Sequence, residues 1–175
     1  MDFIQPIFVN QTDNIVQGKL GLDNASFPLK DINARIQKDI DVGVKEFLLF
    51  VTPNIKTNSP DWQFQGEVVN HIKSKFGNKI SLAVDVCMCS TTTDGHCCLI
   101  DKPQTTQSLF IQLGRVLKQA GADTLAPSDM QKDTVKNITN ESQGGLKTED
   151  KEDNNYGNNK RYNSITKRCN YSFSS

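Results

Sequence analysis

An apolar, β-branched run at residues 80–86 leads directly into a cluster of cysteines, and this junction constrains the fold more than any other part of the chain. The run, Ile-Ser-Leu-Ala-Val-Asp-Val, is typical of a buried strand. Cys87, Cys89 and Cys97 follow it on a polar stretch that contains Gly95. The sequence therefore predicts thiols at the C-terminal end of a strand, which is where α/β enzymes carry their reactive groups.

The spacing of these three cysteines allows two interpretations. Residues i and i+2 of an extended segment project to the same side, so Cys87 and Cys89 are placed to share one ion, and the loop is long enough to return Cys97 as a third ligand. Thiolates suit zinc, and three protein ligands leave a fourth position open, as in catalytic sites. A closed site would need His96 or Cys98 as the fourth ligand. The alternative is a set of reduced cysteines buried in a core.

Strand and helix patterns alternate along the first 130 residues. The predicted elements are, in order, strand 4–9, helix 27–44, strand 46–51, helix 66–76, strand 80–86, helix 105–120 and strand 123–126. This alternation predicts an α/β fold with a parallel sheet and right-handed crossovers. The pattern alone fits either half of a (β/α)8 barrel or a small doubly wound sheet.

The composition changes near Thr139. Residues 139–175 are rich in Asn, Lys, Glu, Ser and Gly, with scattered apolar residues, so they are predicted to be disordered because they bury too little surface to offset the entropy of ordering. The chain is thus divided into a folded domain, residues 1–137, and a low-complexity tail, residues 138–175. Cys169 lies in this tail, far from the other cysteines, which argues against a disulfide framework.

Charge and hydropathy exclude several classes of function. Twenty basic and twenty acidic side chains give no net charge, so nothing indicates binding to nucleic acid or to an anionic membrane. The longest apolar run is too short to span a bilayer, and the N-terminus lacks a signal-peptide pattern. No dinucleotide fingerprint or Walker A motif occurs. Together with clustered, reduced cysteines, these features predict a cytosolic (cytoplasmic) protein.

Two sequence runs carry a resemblance to a known family. The first comprises Asp85-Val-Cys-Met-Cys and Asp94-Gly-His-Cys, and the second is Ala120-Gly-Ala-Asp-Thr-Leu-Ala-Pro-Ser-Asp-Met130. They resemble the zinc-type porphobilinogen synthases, also called δ-aminolevulinic acid dehydratases, whose runs are D-V-C-L-C-x-y-T-x-x-G-H-C-G and A-G-A-D-x-V-A-P-S-D-M-M-D-G-R. Gln5-Pro-Ile-Phe-Val9 resembles the family's first strand. The resemblance covers residues 3 to about 137.

This resemblance implies a fold and an activity. The implied fold is the N-terminal half of a (β/α)8 TIM barrel, about four βα units, followed by the disordered polar tail. The implied activity is that of a lyase that condenses two molecules of 5-aminolevulinic acid to porphobilinogen in the biosynthesis of haem and other tetrapyrroles. In the family, two lysines form Schiff bases with the substrates.

The motif match also implies a metal site. Cys87, Cys89 and Cys97 match the ligands of Zn2+, and His96 matches a position beside the ligands rather than among them. The zinc is expected to act as a Lewis acid on a substrate carbonyl or on a bound water.

Two further residues match catalytic positions. Asp85 matches an active-site carboxylate, and the alternative is a hydrogen-bonded loop cap. Ser128 matches a residue near the substrate lysines, although Pro-Ser-Asp is also common in turns.

The chain departs from the family pattern after Met130. Thr134 occupies the position of the family's arginine, and the Schiff-base lysines belong to late strands that the resemblance does not reach. The lysines of the tail, Lys147, Lys151, Lys160 and Lys167, all stand in polar sequence. We therefore expect this chain alone to be inactive. The alternatives are a non-catalytic, zinc-binding half-barrel that docks on a full-length homologue or forms a homo-oligomer, and a truncated product without function.

Overall fold

The computed structural model describes residues 3–18, 25–99, 102–129, 131 and 133–142. Five strands form one sheet: β1 Ile4–Asn10, β2 Ser26–Pro28, β3 Glu46–Thr52, β4 Ser81–Val86 and β5 Thr124–Pro127. Their order across the sheet is β2-β1-β3-β4-β5, and every neighbouring pair is parallel. The helices are α1 Leu29–Asp41, α2 Gln63–Phe76, α3 Pro103–Gln119 and α4 Thr134–Ser142, with one 3₁₀ turn at Gly77–Lys79. The predicted α/β class with a parallel sheet is confirmed.

The helices pack on one face of the sheet, and alternate strand residues point toward them. These inward positions are buried and form one apolar core with the helices; they include Ile7, Val9, Phe47, Leu49, Leu82, Val84 and Val86. On the opposite face, side chains such as Phe8, Leu48 and Phe50 are half-buried. The rings of Phe8 and Phe50 stack there with centroids 5.0 Å apart. Within the described ranges, then, an apolar sheet face lies opposite the helices.

The short strand β2 was not predicted, because its residues were assigned to a loop and to the start of a helix. It consists of three residues and pairs with the end of β1, with Phe8 opposite Ser26. The Asn10 side chain strengthens this pairing by donating to the Ser26 carbonyl at 2.9 Å. Three residues carry no periodicity, so the sequence pattern does not distinguish such a strand from a loop.

Helix α4 extends the folded part of the chain to Ser142, so the domain boundary predicted after residue 137 falls inside a helix. Ile138 is 5% exposed and packs against α3 at Gly114, where the absence of a side chain leaves room for it. The prediction of disorder from Thr139 is therefore wrong for residues 139–142. Residues 143–175 lie outside the described residues, and their disorder stays a prediction.

In the ranges that the structure describes, none of the helices combines the length and hydropathy needed to cross a bilayer.

Candidate metal and active site

The C-terminal ends of β4 and β5 lie side by side, and they bring the two predicted catalytic residues together. Asp85 is opposite Ala126 in the sheet, and the amide of Ser128 donates to the Val86 carbonyl at 3.4 Å. The Ser128 side chain lies close enough to the Asp85 carboxylate to lower its pKa. Asp85 and Ser128 come together because the carboxyl ends of neighbouring parallel strands meet at one edge of the sheet.

The surroundings of Asp85 favour its protonated form. Burial raises the pKa of this carboxyl, the nearby Ser128 side chain opposes the rise, and the nearby charge of Asp129 adds to it. Burial also raises the pKa of Asp129, against hydrogen bonds from the Thr134 hydroxyl at 2.7 Å and the Gln131 amide at 2.8 Å. The two carboxyls therefore stand where holding or moving a proton is easier than at an exposed aspartate.

The three predicted zinc ligands lie together just beyond β4. Cys87 is 6% exposed, and its thiol donates to the Cys89 sulfur at 3.2 Å. Cys97, at the far end of the loop, lies near enough to Cys87 and Cys89 for their charges to raise its pKa. Burial, together with the hydrogen bond and charge of Cys87, raises the pKa of Cys89 to about 11. Burial and the charges of Cys87 and Cys89 raise that of Cys97 to about 12. A cation beside Cys89 and Cys97 would favour their ionised forms.

These thiols fit zinc by their donor chemistry, although they are not pre-arranged around an ion. Two thiolates on a tetrahedral zinc stand about 3.8 Å apart, given Zn–S bonds of about 2.3 Å. The sulfurs of Cys87 and Cys89 are closer than this, as expected for a hydrogen-bonded thiol pair. Among the described residues, no three Cys, His, Asp or Glu side chains already have the arrangement of a metal site. Metal binding would require loss of the thiol protons and a small separation of the sulfurs.

The remaining predicted residue, His96, is exposed. Its amide donates to the Asp94 carboxylate at 3.1 Å, and its carbonyl accepts from the Thr92 hydroxyl at 2.7 Å. These bonds shape the turn that leads to Cys97. The role of His96 beside a metal stays a prediction. The four described cysteines are free thiols, and Cys169 lies outside the described residues.

The sequence interpretation missed the segment that holds the cysteine loop in place. Residues 53–62, between β3 and α2, run alongside that loop and bond to it at Ser90, Thr91 and Thr93. The segment is polar, with Asn, Ser, Thr and two prolines, and this composition predicts only a surface loop. Its bonds join residues more than thirty positions apart, which no local pattern reports.

Comparisons with known proteins agree with the resemblance of the two motifs. The family model described as delta-aminolevulinic acid dehydratase matches residues 1–149. The enzyme of that name from Staphylococcus epidermidis is 30% identical over 142 residues, which are 74% of this chain and 43% of the relative. The one from Archaeoglobus fulgidus is 29% identical over 149 residues, 78% and 45% of the two chains. The chain thus spans less than half the length of these relatives.

A solved structure shows the same fold. It is the Toxoplasma gondii delta-aminolevulinic acid dehydratase (porphobilinogen synthase) in complex with the reaction product porphobilinogen. The TM-score is 0.74 at 22% identity, over 81% of this chain and 44% of that chain. The predicted fold class, the N-terminal half of a (β/α)8 barrel, is confirmed.

Proposed function

This chain belongs to the delta-aminolevulinic acid dehydratase family, and we propose from this membership that it carries the zinc-binding part of a porphobilinogen synthase site. The reaction proposed for that site is the condensation of two 5-aminolevulinic acid molecules to porphobilinogen, in tetrapyrrole biosynthesis. The observation that supports the proposal is the contact of Cys87 with Cys89, with Cys97 near enough for their charges to raise its pKa, at the strand end that also holds Asp85 and Ser128.

The residues of the site have distinct tasks in this proposal. Cys87, Cys89 and Cys97 would hold Zn2+ as thiolates, and the ion would supply Lewis-acid chemistry for a carbonyl or water oxygen. Asp85 holds or moves a proton at its carboxylate, because burial raises its pKa. Ser128, beside that carboxylate, favours its charged form and so opposes the effect of burial.

The substrate-linking lysines are proposed to come from outside this chain. No motif match places either of them here. We therefore expect the chain alone to bind zinc and to form no porphobilinogen. The cytosol is the proposed compartment, because thiolate ligands need reducing surroundings.

A second candidate function is favoured by the apolar sheet face opposite the helices. Phe8, Leu48 and Phe50 are half-buried there. Parallel sheets normally have both faces covered, so this face suits a partner such as a full-length homologue or a second copy. In this candidate function the chain binds zinc and modulates the homologue without catalysing the reaction.

The two candidates are tested on purified, reduced chain. Zinc content measured by mass spectrometry should be one ion per chain, should be lost in Cys87→Ser and should persist in Cys98→Ser, the matched control beside the ligands. Absence of zinc from the intact reduced chain would refute the metal site.

Activity and docking are then measured separately. Incubation with 5-aminolevulinic acid and borohydride should leave no covalent adduct, and an adduct on any lysine would refute the proposed division of labour. Co-elution with a full-length relative, with a change in its turnover, would support the second candidate, and independent elution would exclude it.

A further inference from the structure

We propose that the segment between β3 and α2, residues 53–62, positions the cysteine loop, residues 87–97, and that Asn58 is its main positioning residue. We call the first segment the clasp loop and the second the thiol loop. The inference rests on the proposed zinc site and deepens it, since it names residues that set metal affinity without being ligands.

Asn58 makes the most specific contact between the two loops. Its side-chain oxygen accepts from both the amide and the hydroxyl of Thr93, each at 3.3 Å. One acceptor therefore fixes both the backbone and the side chain of a residue four positions before Cys97. Alanine at position 58 would leave both donors of Thr93 to solvent.

Two more contacts continue this pairing toward the ligands. The Lys56 ammonium donates to the Ser90 carbonyl, next to Cys89, and the Thr57 amide donates to the Thr91 carbonyl at 2.8 Å. Residues 56, 57 and 58 of the clasp loop thus bond in order to residues 90, 91 and 93 of the thiol loop, so the two segments run parallel.

The clasp loop is itself anchored at both ends. At its start, the Asn54 amide donates to the Gln11 side chain at 3.1 Å, and the Asn54 side chain donates to the Gln11 carbonyl. At its end, Trp62 is 2% exposed and has a left-handed backbone with φ of 61°. Such a conformation in a bulky residue persists only where the surroundings hold it. The clasp loop therefore offers a fixed base to the thiol loop.

Hydrogen bonds within the thiol loop connect the region of Thr93 to Cys97, the third proposed ligand. Inside the thiol loop, the amides of Thr91 and Thr92 donate to the Met88 carbonyl at 2.8 and 2.9 Å, and the Thr92 hydroxyl donates to the His96 carbonyl. Releasing Thr93 would loosen the turn that returns Cys97 to Cys87. Metal binding would then have to order the loop again, which lowers affinity without removing a ligand.

The test compares three variants by competition with a chromogenic zinc chelator. Asn58→Ala should weaken zinc binding about tenfold while keeping one ion per chain, as for other residues that support ligands. Asn58→Asp keeps the oxygen acceptor and should bind within about threefold of the unaltered chain. Ser59→Ala, in the same loop, is the control and should bind normally, because Ser59 bonds to Thr57 through its amide and the substitution keeps that amide. Equal affinity of Asn58→Ala and the unaltered chain, or an equal loss in Ser59→Ala, would overturn the proposal.

A second measurement separates failure of this inference from failure of the zinc site. Amide hydrogen exchange at Thr93 in the metal-free chain should be faster in Asn58→Ala than in Ser59→Ala. If the intact chain binds no zinc, the proposed function fails, and the exchange rate at Thr93 alone tests whether Asn58 positions the thiol loop. Unchanged exchange at Thr93 in Asn58→Ala would refute that positioning role whether or not zinc binds.

Discussion

Truncating Ile138 tests whether α4 is part of the folded unit. Ile138 is 5% exposed, and its Cγ2 and Cγ1 atoms lie over Gly114 of α3, near Leu125 of β5. Ile138→Ala removes three buried carbons and leaves a gap against a glycine, which has no side chain to fill it.

The expected loss of stability follows from this burial. Three buried carbons at about 0.8 kcal/mol each give about 2.4 kcal/mol. Alanine is the better helix former by about 0.4 kcal/mol, which offsets part of the loss. A residual cavity adds to the loss, as in other Ile→Ala changes of about 2–5 kcal/mol. We expect Ile138→Ala to lower the free energy of unfolding by about 2–3 kcal/mol.

The assay is urea unfolding followed by circular dichroism, with Val135→Ala as the matched control. Val135 lies in the same helix but is 55% exposed, so its truncation should change stability by less than about 0.5 kcal/mol. If both variants unfold at the same urea concentration as the unaltered chain, α4 contributes nothing to the fold and the reasoning is refuted.

Two other predictions concern pairs that join elements of the core. Burial alone would raise the pKa of Asp123, but hydrogen bonds from Lys73 at 2.8 Å and the Leu82 amide at 2.7 Å lower it below its ordinary value of about 3.9. The stabilisation from ionised Asp123 is present above its ordinary pKa and is lost as the pH falls through its lowered pKa. Asp123→Asn should therefore make the free energy of unfolding fall less steeply between pH 7 and 2. The same pH dependence in the variant and the unaltered chain would contradict this prediction. A Cβ on Gly66 would lie 2.8 Å from Val116 Cγ1, so Gly66→Ala should destabilise by about 1–2 kcal/mol in thermal unfolding. Adding Val116→Ala should remove the clash, and strictly additive losses would exclude it as the cause.

The sequence predicted those parts of the fold whose signals are local. The run at β4 is apolar and β-branched, and three cysteines directly follow it, so both the strand and the thiol cluster were predicted. Asp85 and Ser128 were named separately through the family motifs, and their proximity was not predicted, because it depends on β4 and β5 being neighbours.

Elements defined by distant partners were missed for a physical reason. β2 exists because three residues pair with the end of β1, and α4 is held largely through Ile138 and through Asn137, which donates to Gln107 at 3.1 Å. β2 is too short for a periodic pattern, and α4 has only two apolar residues, Val135 and Ile138. The clasp loop was missed for the same reason, because Asn58 and its partner Thr93 are 35 positions apart.

Residues 46–51 were predicted to form a strand, and β3 at Glu46–Thr52 confirms it. The run shows no alternation of apolar and polar residues. In the described part, Phe47, Leu49 and Val51 face the helices while Leu48 and Phe50 remain half-buried. An apolar row on this face is what the interior of a barrel requires.

The chain has a single tryptophan, and Trp62 stands where the clasp loop joins α2. It is 2% exposed, and its indole N–H has no hydrogen-bond partner within the described residues. An indole in such dry surroundings fluoresces at short wavelength, and water reaching it shifts the emission to the red. The emission maximum of Trp62 therefore reports whether the clasp loop is packed in place beside the thiol loop, without an added label.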